Sequence, residues 1–183
     1  RGIGAAGGHE GFGAPYDLPN MAAYNEPCAS IGMDYWNHRQ FLLHGDAKYI
    51  DVLERTLYNG LISGVALDGK TFFYPNPLES NGQHERSPWF GVACCPSNIT
   101  RFLASLPGYV YAQRERDVFV NLFVAGRGEL SLDGLTLGIR QETRYPWDGR
   151  VRIALEPGRP AEFALHVRVP GWAQGRPVPS DLY

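Results

Sequence analysis

Three cysteines and one glutamate are the residues of this sequence best suited to binding a metal ion. Glu26 and Cys28 stand on either side of Pro27, and Cys94 is followed directly by Cys95. Soft thiolates combined with one hard carboxylate can complete a tetrahedral zinc shell, and zinc keeps each bound thiol deprotonated at neutral pH. A zinc site is therefore one interpretation of this set.

Other interpretations of the cysteines are open at this stage. Cysteine is among the most buried residue types, so all three could pack as small hydrophobes without any ligand. A closed four-ligand zinc site is more often structural than catalytic. A helix that begins at Pro96 would direct its positive end at Cys94 and Cys95 and favour their thiolates, either of which could then attack carbon.

Glu10, in the segment Gly8-His9-Glu10-Gly11, is the candidate for proton transfer. It belongs to a stretch over residues 1–25 that is rich in Gly, Pro and Asn, and loops of that length in compact proteins are usually functional. A carboxyl group beside a nucleophile supplies general acid/base catalysis. On residue type alone, Glu10 is also an ordinary solvated loop residue, and His9 and Tyr74 are ordinary loop or packing residues.

Helical periodicity begins after this loop. Apolar residues recur with helical spacing from Pro27 to His44, and Gly45 is expected to end that helix. Asp46 is placed to cap a second helix from Ala47 to Tyr58, which would pack against the first. Its buried face is predicted to consist of Ile50, Leu53, Leu57 and Leu61. A third helix is predicted from Pro96 to Leu106, with proline at the first position, where its missing N–H is not needed.

The second half of the chain has the periodicity of strands. Thr71–Tyr74 is already a short aromatic extended segment, and from Gly108 the apolar residues alternate with a period of two. The alternating positions are Val118, Val120 and Leu122, then Val151, Ile153 and Leu155, then Phe163, Leu165, Val167 and Val169. Several short strands punctuated by Gly and Pro indicate a β-sandwich, with a domain boundary near residue 107.

Composition excludes some classes of partner. The 183 residues are 44% hydrophobic, which is typical of globular proteins, and the net charge is −2. No basic run and no amphipathic Lys/Arg face is present, so we expect neither nucleic acid nor a membrane surface as a partner. No apolar run approaches the roughly 20 residues of a membrane span.

Cysteine usage bears on the compartment. The odd count of three cysteines, two of them adjacent, fits a disulfide framework poorly and fits a reducing compartment, so a cytoplasmic location is expected. The sequence begins without Met inside a Gly-rich loop, and we expect it to be a fragment whose N-terminal targeting region is not visible. The glycosylation sequon Asn98-Ile99-Thr100 lies in a predicted helix and is expected to be unmodified.

Five motifs along nearly the whole chain, taken together, have high specificity. They are Gly8-His9-Glu10-Gly11-Phe12-Gly13, Tyr16-Asp17-Leu18-Pro19-Asn20, Glu26-Pro27-Cys28-Ala29-Ser30, Phe72-Phe73-Tyr74-Pro75-Asn76-Pro77-Leu78 and Ala93-Cys94-Cys95-Pro96. With these motifs the sequence resembles the β-L-arabinofuranosidase family of glycoside hydrolases, formerly described as a domain of unknown function. It departs from the family pattern at Pro27, where related sequences often have threonine.

The resemblance implies both a site and a fold. The implied zinc ligands are Glu26, Cys28, Cys94 and Cys95. Cys94 would be the nucleophile and Glu10 the acid/base of a retaining hydrolase that releases β-L-arabinofuranose or a related sugar, with His9 and Tyr74 at the substrate pocket. The implied fold is an α + β multidomain one. Residues 1–107 would form the last helices of an (α/α)6 barrel, without the earlier helices that supply pocket histidines, and residues 108–183 the start of a β-sandwich.

Two alternatives of other classes are kept. The first is a structural-zinc or carbohydrate-binding protein in which Glu10 has no catalytic task. The second is a thiol redox or metal-handling protein, which would show reversible oxidation between Cys94 and Cys95. The segment over residues 72–78, which resembles a sugar pocket, and Glu10 both favour the glycosidase.

Overall fold

The computed structural model describes residue 11, residues 13–15, residue 17 and residues 19–178. Within these residues the α-helices are α1 (Pro27–His44), α2 (Ala47–Thr56), α3 (Cys95–Ser105) and α4 (Pro107–Val110). The strands are β1 (Tyr111–Arg114), β2 (Asp117–Val120), β3 (Gly126–Leu132), β4 (Leu135–Thr143), β5 (Val151–Pro157) and β6 (Ala164–Val167). A first compact unit contains the described residues up to Ser105 together with residues 176–178, and a second contains Leu106–Gly175. None of the described helices is long and apolar enough to cross a lipid bilayer.

Helix α1 has the bounds that the sequence predicts. Pro27 occupies its first turn, where no backbone N–H is required. Gly45 follows the helix with φ of 68°, a left-handed conformation that costs glycine little, and its N–H donates to the Phe41 carbonyl at 2.7 Å. The helix therefore begins and ends at signals in the local sequence.

Helix α2 begins as predicted and ends earlier than predicted. The Asp46 carboxylate accepts a hydrogen bond from the Lys48 backbone N–H at 3.0 Å and caps the helix. The α-helix stops at Thr56, and the predicted last turn is instead a π-helical turn over Leu57–Leu61, followed by a 3₁₀ turn to Gly64. This turn brings the Gly60 backbone close to α1, because a Cβ at this position would lie 2.6 Å from Ser30 Oγ. All four residues of the predicted face are buried, namely Ile50, Leu53, Leu57 and Leu61.

Helix α3 begins at Cys95 and ends at Ser105, one residue before each predicted bound. It packs on α1 through Phe102, which is fully buried and whose ring centroid lies 5.6 Å from that of Tyr35. Both helices present their N-terminal ends to the same region of the first unit, because the side chains of Cys28 and Cys95 meet there.

The segment over residues 71–78 is extended but does not form a regular strand. Phe72 makes isolated antiparallel bridges with Val65 and Ser87. Farther along, Asn76 N–H donates to the Tyr24 carbonyl at 3.0 Å. The segment is thus joined by backbone hydrogen bonds to the residues that precede α1, and this places Tyr74 beside the start of that helix.

The second unit contains two three-stranded sheets, in the orders β1-β2-β6 and β3-β4-β5. Strand β2 is antiparallel to β1 and parallel to β6, whereas β4 is antiparallel to both of its neighbours. Apolar side chains from both sheets pack in two clusters, one that joins Val118 of β2 to Leu137 of β4 and one that joins Val120 of β2 to Ile139 of β4. The alternating positions in β2, β5 and β6 were predicted from the sequence, although Leu122, Phe163 and Val169 lie just outside the strands.

Strands β1, β3 and β4 are absent from the sequence prediction. Glycines and arginines interrupt the apolar alternation in β3 and β4, which hides the period of two. A signal was nevertheless present at Asp133-Gly134, where φ is 52° and 76° and the register pairs Leu132 with Leu135. An Asp-Gly pair between two apolar runs is a strong indicator of a tight hairpin turn.

Candidate metal centre

The site is built from the first turn of α1 and the start of α3. Glu26 precedes α1 with an extended backbone, and its carbonyl accepts hydrogen bonds from Ala29 N–H at 3.0 Å and Ser30 N–H at 3.2 Å. Its side chain makes no capping hydrogen bond with the helix. The carboxylate is therefore available to the cysteines, and Cys28 lies one residue into the helix beyond Pro27.

The four predicted ligands come together. Cys28 Sγ lies 2.8 Å from Cys94 Sγ and 3.4 Å from Cys95 Sγ. Glu26 Oε1 lies 3.4 Å from Cys94 Sγ and 3.5 Å from Cys95 Sγ. One donor atom from each of the four residues lies within 4.8 Å of all the others.

The donor set fits a zinc ion. Neighbouring sulfur ligands of a tetrahedral zinc ion lie roughly 3.8 Å apart, given Zn–S bonds of about 2.3 Å. The sulfur atoms here are 2.8 and 3.4 Å apart, so small side-chain adjustments would accommodate the ion. They are too far apart for a disulfide, whose S–S bond is about 2.05 Å, and all three cysteines are free. Three thiolates and one carboxylate are a ligand set that zinc accepts.

Hydrogen bonding makes the three thiols unequal when no cation is bound. The hydrogen bond between Cys28 and Cys95 is the main reason why the pKa of Cys28 is lowered to about 7, with smaller contributions from Cys94 and Asn98. Desolvation, and to a lesser extent the hydrogen bond to Cys28, raise the pKa of Cys94 to about 11. The pKa of Cys95 is raised mainly by its own hydrogen bond to Cys28. Coordination by a divalent cation would replace this order, because a bound thiol is deprotonated outright.

The N-termini of two helices favour the negatively charged forms of the cysteines. Cys28 lies in the first turn of α1, and Cys95 is the first residue of α3. The positive end of each helix dipole favours negative charge within the first turn. Helix α3 was predicted to begin at Pro96, but it begins one residue earlier. Cys95 therefore belongs to the helix itself and does not precede it.

Tyr74 lies next to the cysteines. Its carbonyl oxygen is 3.9 Å from Cys95 Sγ, and a hydrogen bond from its side chain acts to lower the pKa of Cys94. Its ring makes edge contacts with Tyr24 and Phe90, with centroids 6.2 and 5.5 Å apart. The residue predicted to line a sugar pocket is therefore fixed by aromatic neighbours beside the candidate nucleophile. Glu10 and His9, also predicted for the site, lie outside the described residues.

Asn98 is a residue of the site that the sequence analysis considered only as part of a sequon. Its side-chain amide donates a hydrogen bond to Cys28 Sγ at 3.1 Å. The available signal was helical spacing, because a residue four positions after Cys94 on a helix that begins at Cys95 lies on the face next to the thiols.

Comparisons with known proteins identify the family of this chain. Residues 2–108 match the family model described as β-L-arabinofuranosidase, GH127 catalytic domain, and residues 117–179 match the model of the GH127 middle domain. A curated relative from Bifidobacterium longum subsp. longum, described as a non-reducing end β-L-arabinofuranosidase, is 36% identical over 189 aligned residues. That alignment covers 94% of this chain and 28% of the relative.

Solved structures of the same family are also similar. A structure described as a GH127 β-arabinofuranosidase has 57% sequence identity and a TM-score of 0.93, over 99% of this chain and 28% of that chain. A GH127 β-L-arabinofuranosidase from Geobacillus stearothermophilus T6 has 44% identity and a TM-score of 0.84, over 93% of this chain and 29% of that chain. The chain thus spans less than a third of the length of these relatives. Because the catalytic-domain model alone matches more than half of it, the chain belongs to the GH127 β-L-arabinofuranosidase family of glycoside hydrolases.

Proposed function

We propose that the full-length protein is a retaining glycoside hydrolase that releases β-L-arabinofuranose, or a closely related sugar, from carbohydrate substrates. In this proposal the first unit is the end of an (α/α)6 barrel within residues 1–107, and residues 108–183 begin a β-sandwich. The observation that supports it best is the convergence of Glu26, Cys28, Cys94 and Cys95 within 4.8 Å. The three free thiols also favour a cytoplasmic location.

The four converging residues would hold one Zn²⁺. When bound, the ion would keep the thiols deprotonated at neutral pH and make the sulfur of a sugar adduct a better leaving group. Glu26 and Cys95 are buried, with 7% and 0% of their surface exposed, which suits ligands that never contact substrate. Cys28 and Cys94 are only half-buried.

Cys94 is proposed as the nucleophile and Glu10 as the acid/base. In the first step the Cys94 sulfur forms a bond to the anomeric carbon while the glycosidic C–O bond breaks, and the Glu10 proton passes to the departing oxygen. In the second step Glu10 takes a proton from water, the water oxygen bonds to the anomeric carbon, and the C–S bond breaks with its electron pair returning to sulfur. Two displacements at one carbon give retention of configuration.

The neighbours of Cys94 are compatible with this role. Cys94 is half-buried, whereas the fully buried Cys95 has no surface open to a sugar. Tyr74 is hydrogen-bonded to Cys94 and is proposed to bind substrate together with His9. A hydroxyl beside a sulfur stabilises the thiolate form, which is the nucleophilic one.

The experiment that tests the function uses the full-length protein with zinc. It is incubated with 4-nitrophenyl β-L-arabinofuranoside, with the α-furanoside and the β-pyranoside as controls, and the first product anomer is followed by NMR. Turnover of the β-furanoside alone with the β-anomer formed first is expected. An α-anomer formed first would exclude the double displacement. Stoichiometric zinc without turnover of any of the three would favour the structural-zinc or carbohydrate-binding alternative.

A thiol redox function has one observation in its favour, the distance of 2.8 Å between the sulfur atoms of Cys28 and Cys94. This differs from the pair expected from the sequence, Cys94 and Cys95. The two functions are distinguished by pretreatment with a thiol oxidant followed by mass spectrometry. The hydrolase would lose activity on oxidation and would need no disulfide during turnover, whereas a redox protein would cycle between the two states.

A further inference from the structure

Asn98 contacts both halves of the cysteine cluster. It lies in the first turn of α3, and its backbone N–H donates to the Cys94 carbonyl at 3.1 Å. Its side-chain Nδ2 donates to Cys28 Sγ at 3.1 Å, across a sequence separation of 70 residues. One residue therefore belongs to the helix that follows Cys94 and also reaches the ligand supplied by α1.

Cys28 and Cys94 are the two half-buried sulfurs of the cluster, so exposure alone does not decide which of them reacts. Their hydrogen-bond partners differ. Cys28 accepts the amide N–H of Asn98, whereas Cys94 is hydrogen-bonded to the Tyr74 side chain, the residue proposed to contact substrate. Within the described part of the chain, the side-chain amide of Asn98 donates a hydrogen bond to Cys28.

We propose that Asn98 is a positioning residue that fixes Cys28 as a permanent metal ligand and thereby leaves Cys94 as the sulfur that reacts. This inference rests on the proposed zinc-thiolate hydrolase and adds to it a reason why one of the two half-buried sulfurs reacts and the other does not. Asn98 itself does not contact substrate in this scheme.

The physical basis is the effect of an N–H donor on a thiolate. A hydrogen bond to sulfur stabilises the thiolate and holds its side chain in place, and a thiolate that keeps its donor throughout is a weaker nucleophile than one that loses it. Three thiolates and a carboxylate around one Zn²⁺ leave the site with a net negative charge. An N–H group that donates to one of the thiolates offsets part of this charge. Asn98 stays on Cys28 throughout, whereas Tyr74, the donor to Cys94, is proposed to turn to the substrate, so Cys94 becomes the more nucleophilic of the two sulfurs.

The orientation of the amide supports the same conclusion. An asparagine side chain can present either its NH₂ group or its oxygen to a neighbour. A carbonyl oxygen facing a thiolate would place two acceptors in contact, so only the Nδ2 orientation is favourable beside Cys28. Leucine has nearly the same shape as asparagine and no donor, which makes Asn98→Leu a sharp test.

The experiment uses the full-length protein loaded with Co²⁺ for spectroscopy and with Zn²⁺ for affinity and labelling. The variants are Asn98→Leu, Asn98→Gln, which keeps an amide donor, and the control Thr100→Val on the same helix. Thr100 bonds to the Pro96 carbonyl and not to the cysteines. Thr100→Val also removes the sequon, so it separates loss of the amide donor from loss of a glycosylation signal.

In Asn98→Leu the thiolate-to-cobalt charge-transfer bands should move to lower energy, and zinc affinity should fall about 10–100-fold, the usual effect of removing a hydrogen-bond partner of a metal ligand. Iodoacetamide is expected to label mainly Cys94 in the zinc-loaded wild type, and in Asn98→Leu it should label Cys28 as well. Asn98→Gln should restore the bands at least in part, and Thr100→Val should resemble the wild type. If Asn98→Leu does not fold, Asn98→Ala gives the same three readouts without added bulk.

Unchanged bands and unchanged labelling in a folded, metal-loaded Asn98→Leu would overturn the role of Asn98 while leaving the zinc site intact. A wild-type protein without thiolate-to-cobalt bands would instead overturn the zinc site, and the inference with it. The two failures are therefore distinguishable in the same set of spectra.

Discussion

The sulfur atoms of Cys28 and Cys94 lie 2.8 Å apart although the two cysteines are separated by 66 residues in the chain. The contact joins the start of α1 to the start of α3, so the relative position of the two helices and the geometry of the cluster depend on each other. Thiolates and a carboxylate this close repel one another unless a cation lies among them. Metal binding should therefore be coupled to the stability of the helical unit.

The first prediction follows from this coupling. The full-length protein should bind about one zinc ion per chain, because four ligands complete one tetrahedral shell. Cys28→Ser and Cys95→Ser should lower both zinc content and the free energy of unfolding, since the binding free energy of a structural zinc site, roughly 10–16 kcal/mol, contributes to folding. Elemental analysis and thermal unfolding with and without a chelator measure both quantities, with Thr100→Val as the control. An unchanged metal stoichiometry in both cysteine variants would refute the assignment of the ligands.

The second prediction concerns Asp34 in α1. This residue is fully buried, and neither of its carboxylate oxygens has a hydrogen-bond partner within the described part of the chain. Desolvation raises the pKa of Asp34 to about 9 from its ordinary 3.8, so the group is neutral in the folded protein at pH 7 and ionised in the unfolded one. Between these two pKa values the folded state binds the extra proton, and stability should fall as the pH rises, by up to about 1.4 kcal/mol per pH unit.

Asp34→Asn removes this proton linkage. The variant of the full-length protein should unfold at a higher temperature than the wild type at pH 8, and the difference should shrink as the pH falls below 3.8, where the wild-type carboxyl becomes protonated in the unfolded state as well. The control is Glu79→Gln, which changes an exposed carboxylate. A difference between Asp34→Asn and the wild type that does not vary with pH would show that Asp34 is not proton-linked to folding.

Local signals in the sequence predicted α1, the start of α2 and, to within one residue, both ends of α3, but they missed α4, because strand periodicity was expected from Gly108. Pro27 and Gly45 determine where α1 begins and ends, and Asp46 caps α2 through a residue two positions away. These are short-range effects of proline, glycine and a capping carboxylate. The π-helical turn over Leu57–Leu61 was not predictable in this way, because it depends on the close packing of Gly60 against Ser30 of another helix.

The site was predictable only in part. Residue types indicated a thiolate metal site, but only the family resemblance indicated which residues join across the chain. Helical spacing places Asn98 on the face next to the thiols, but its bond to Cys28 was missed because that partner is 70 residues away. Strands β3 and β4 were missed for a different reason. Their glycines and charged residues obscure the alternation of apolar side chains, although the turn at Asp133 indicated a hairpin.

The third prediction tests the nucleophile. Cys94→Ser should abolish turnover by the full-length protein even where zinc is retained by the other three ligands, because a neutral hydroxyl is a far weaker nucleophile than a thiolate. A mechanism-based furanosyl reagent should label Cys94 in the wild type, as read by mass spectrometry of the peptides. Zinc content measured on the same samples separates loss of the nucleophile from loss of the metal. Labelling of a carboxylate in place of Cys94 would assign the nucleophile elsewhere.

The fourth prediction concerns Glu10, the expected acid/base, which lies outside the described residues. An alkyl β-L-arabinofuranoside leaves as a poor alkoxide and needs a proton in the transition state, whereas a nitrophenolate leaves well without one. Glu10→Gln in the full-length protein should therefore slow the alkyl substrate by roughly 10²–10⁴-fold, the usual contribution of general acid catalysis. This corresponds to about 3–5 kcal/mol in the barrier. The first step with the nitrophenyl substrate should change much less.

With the nitrophenyl substrate the second step should become limiting, because Glu10 would no longer take a proton from the attacking water. The Cys94 thioglycoside should then accumulate, visible as a burst of nitrophenolate and as an added sugar mass on the peptide that contains Cys94. Glu26→Gln is the matched control, since it changes a proposed metal ligand and should lower zinc content, which Glu10→Gln should not. Loss of a proton donor affects a poor leaving group more than a good one. If Glu10→Gln slows both substrates equally, with no burst and with full zinc content, Glu10 is a positioning residue.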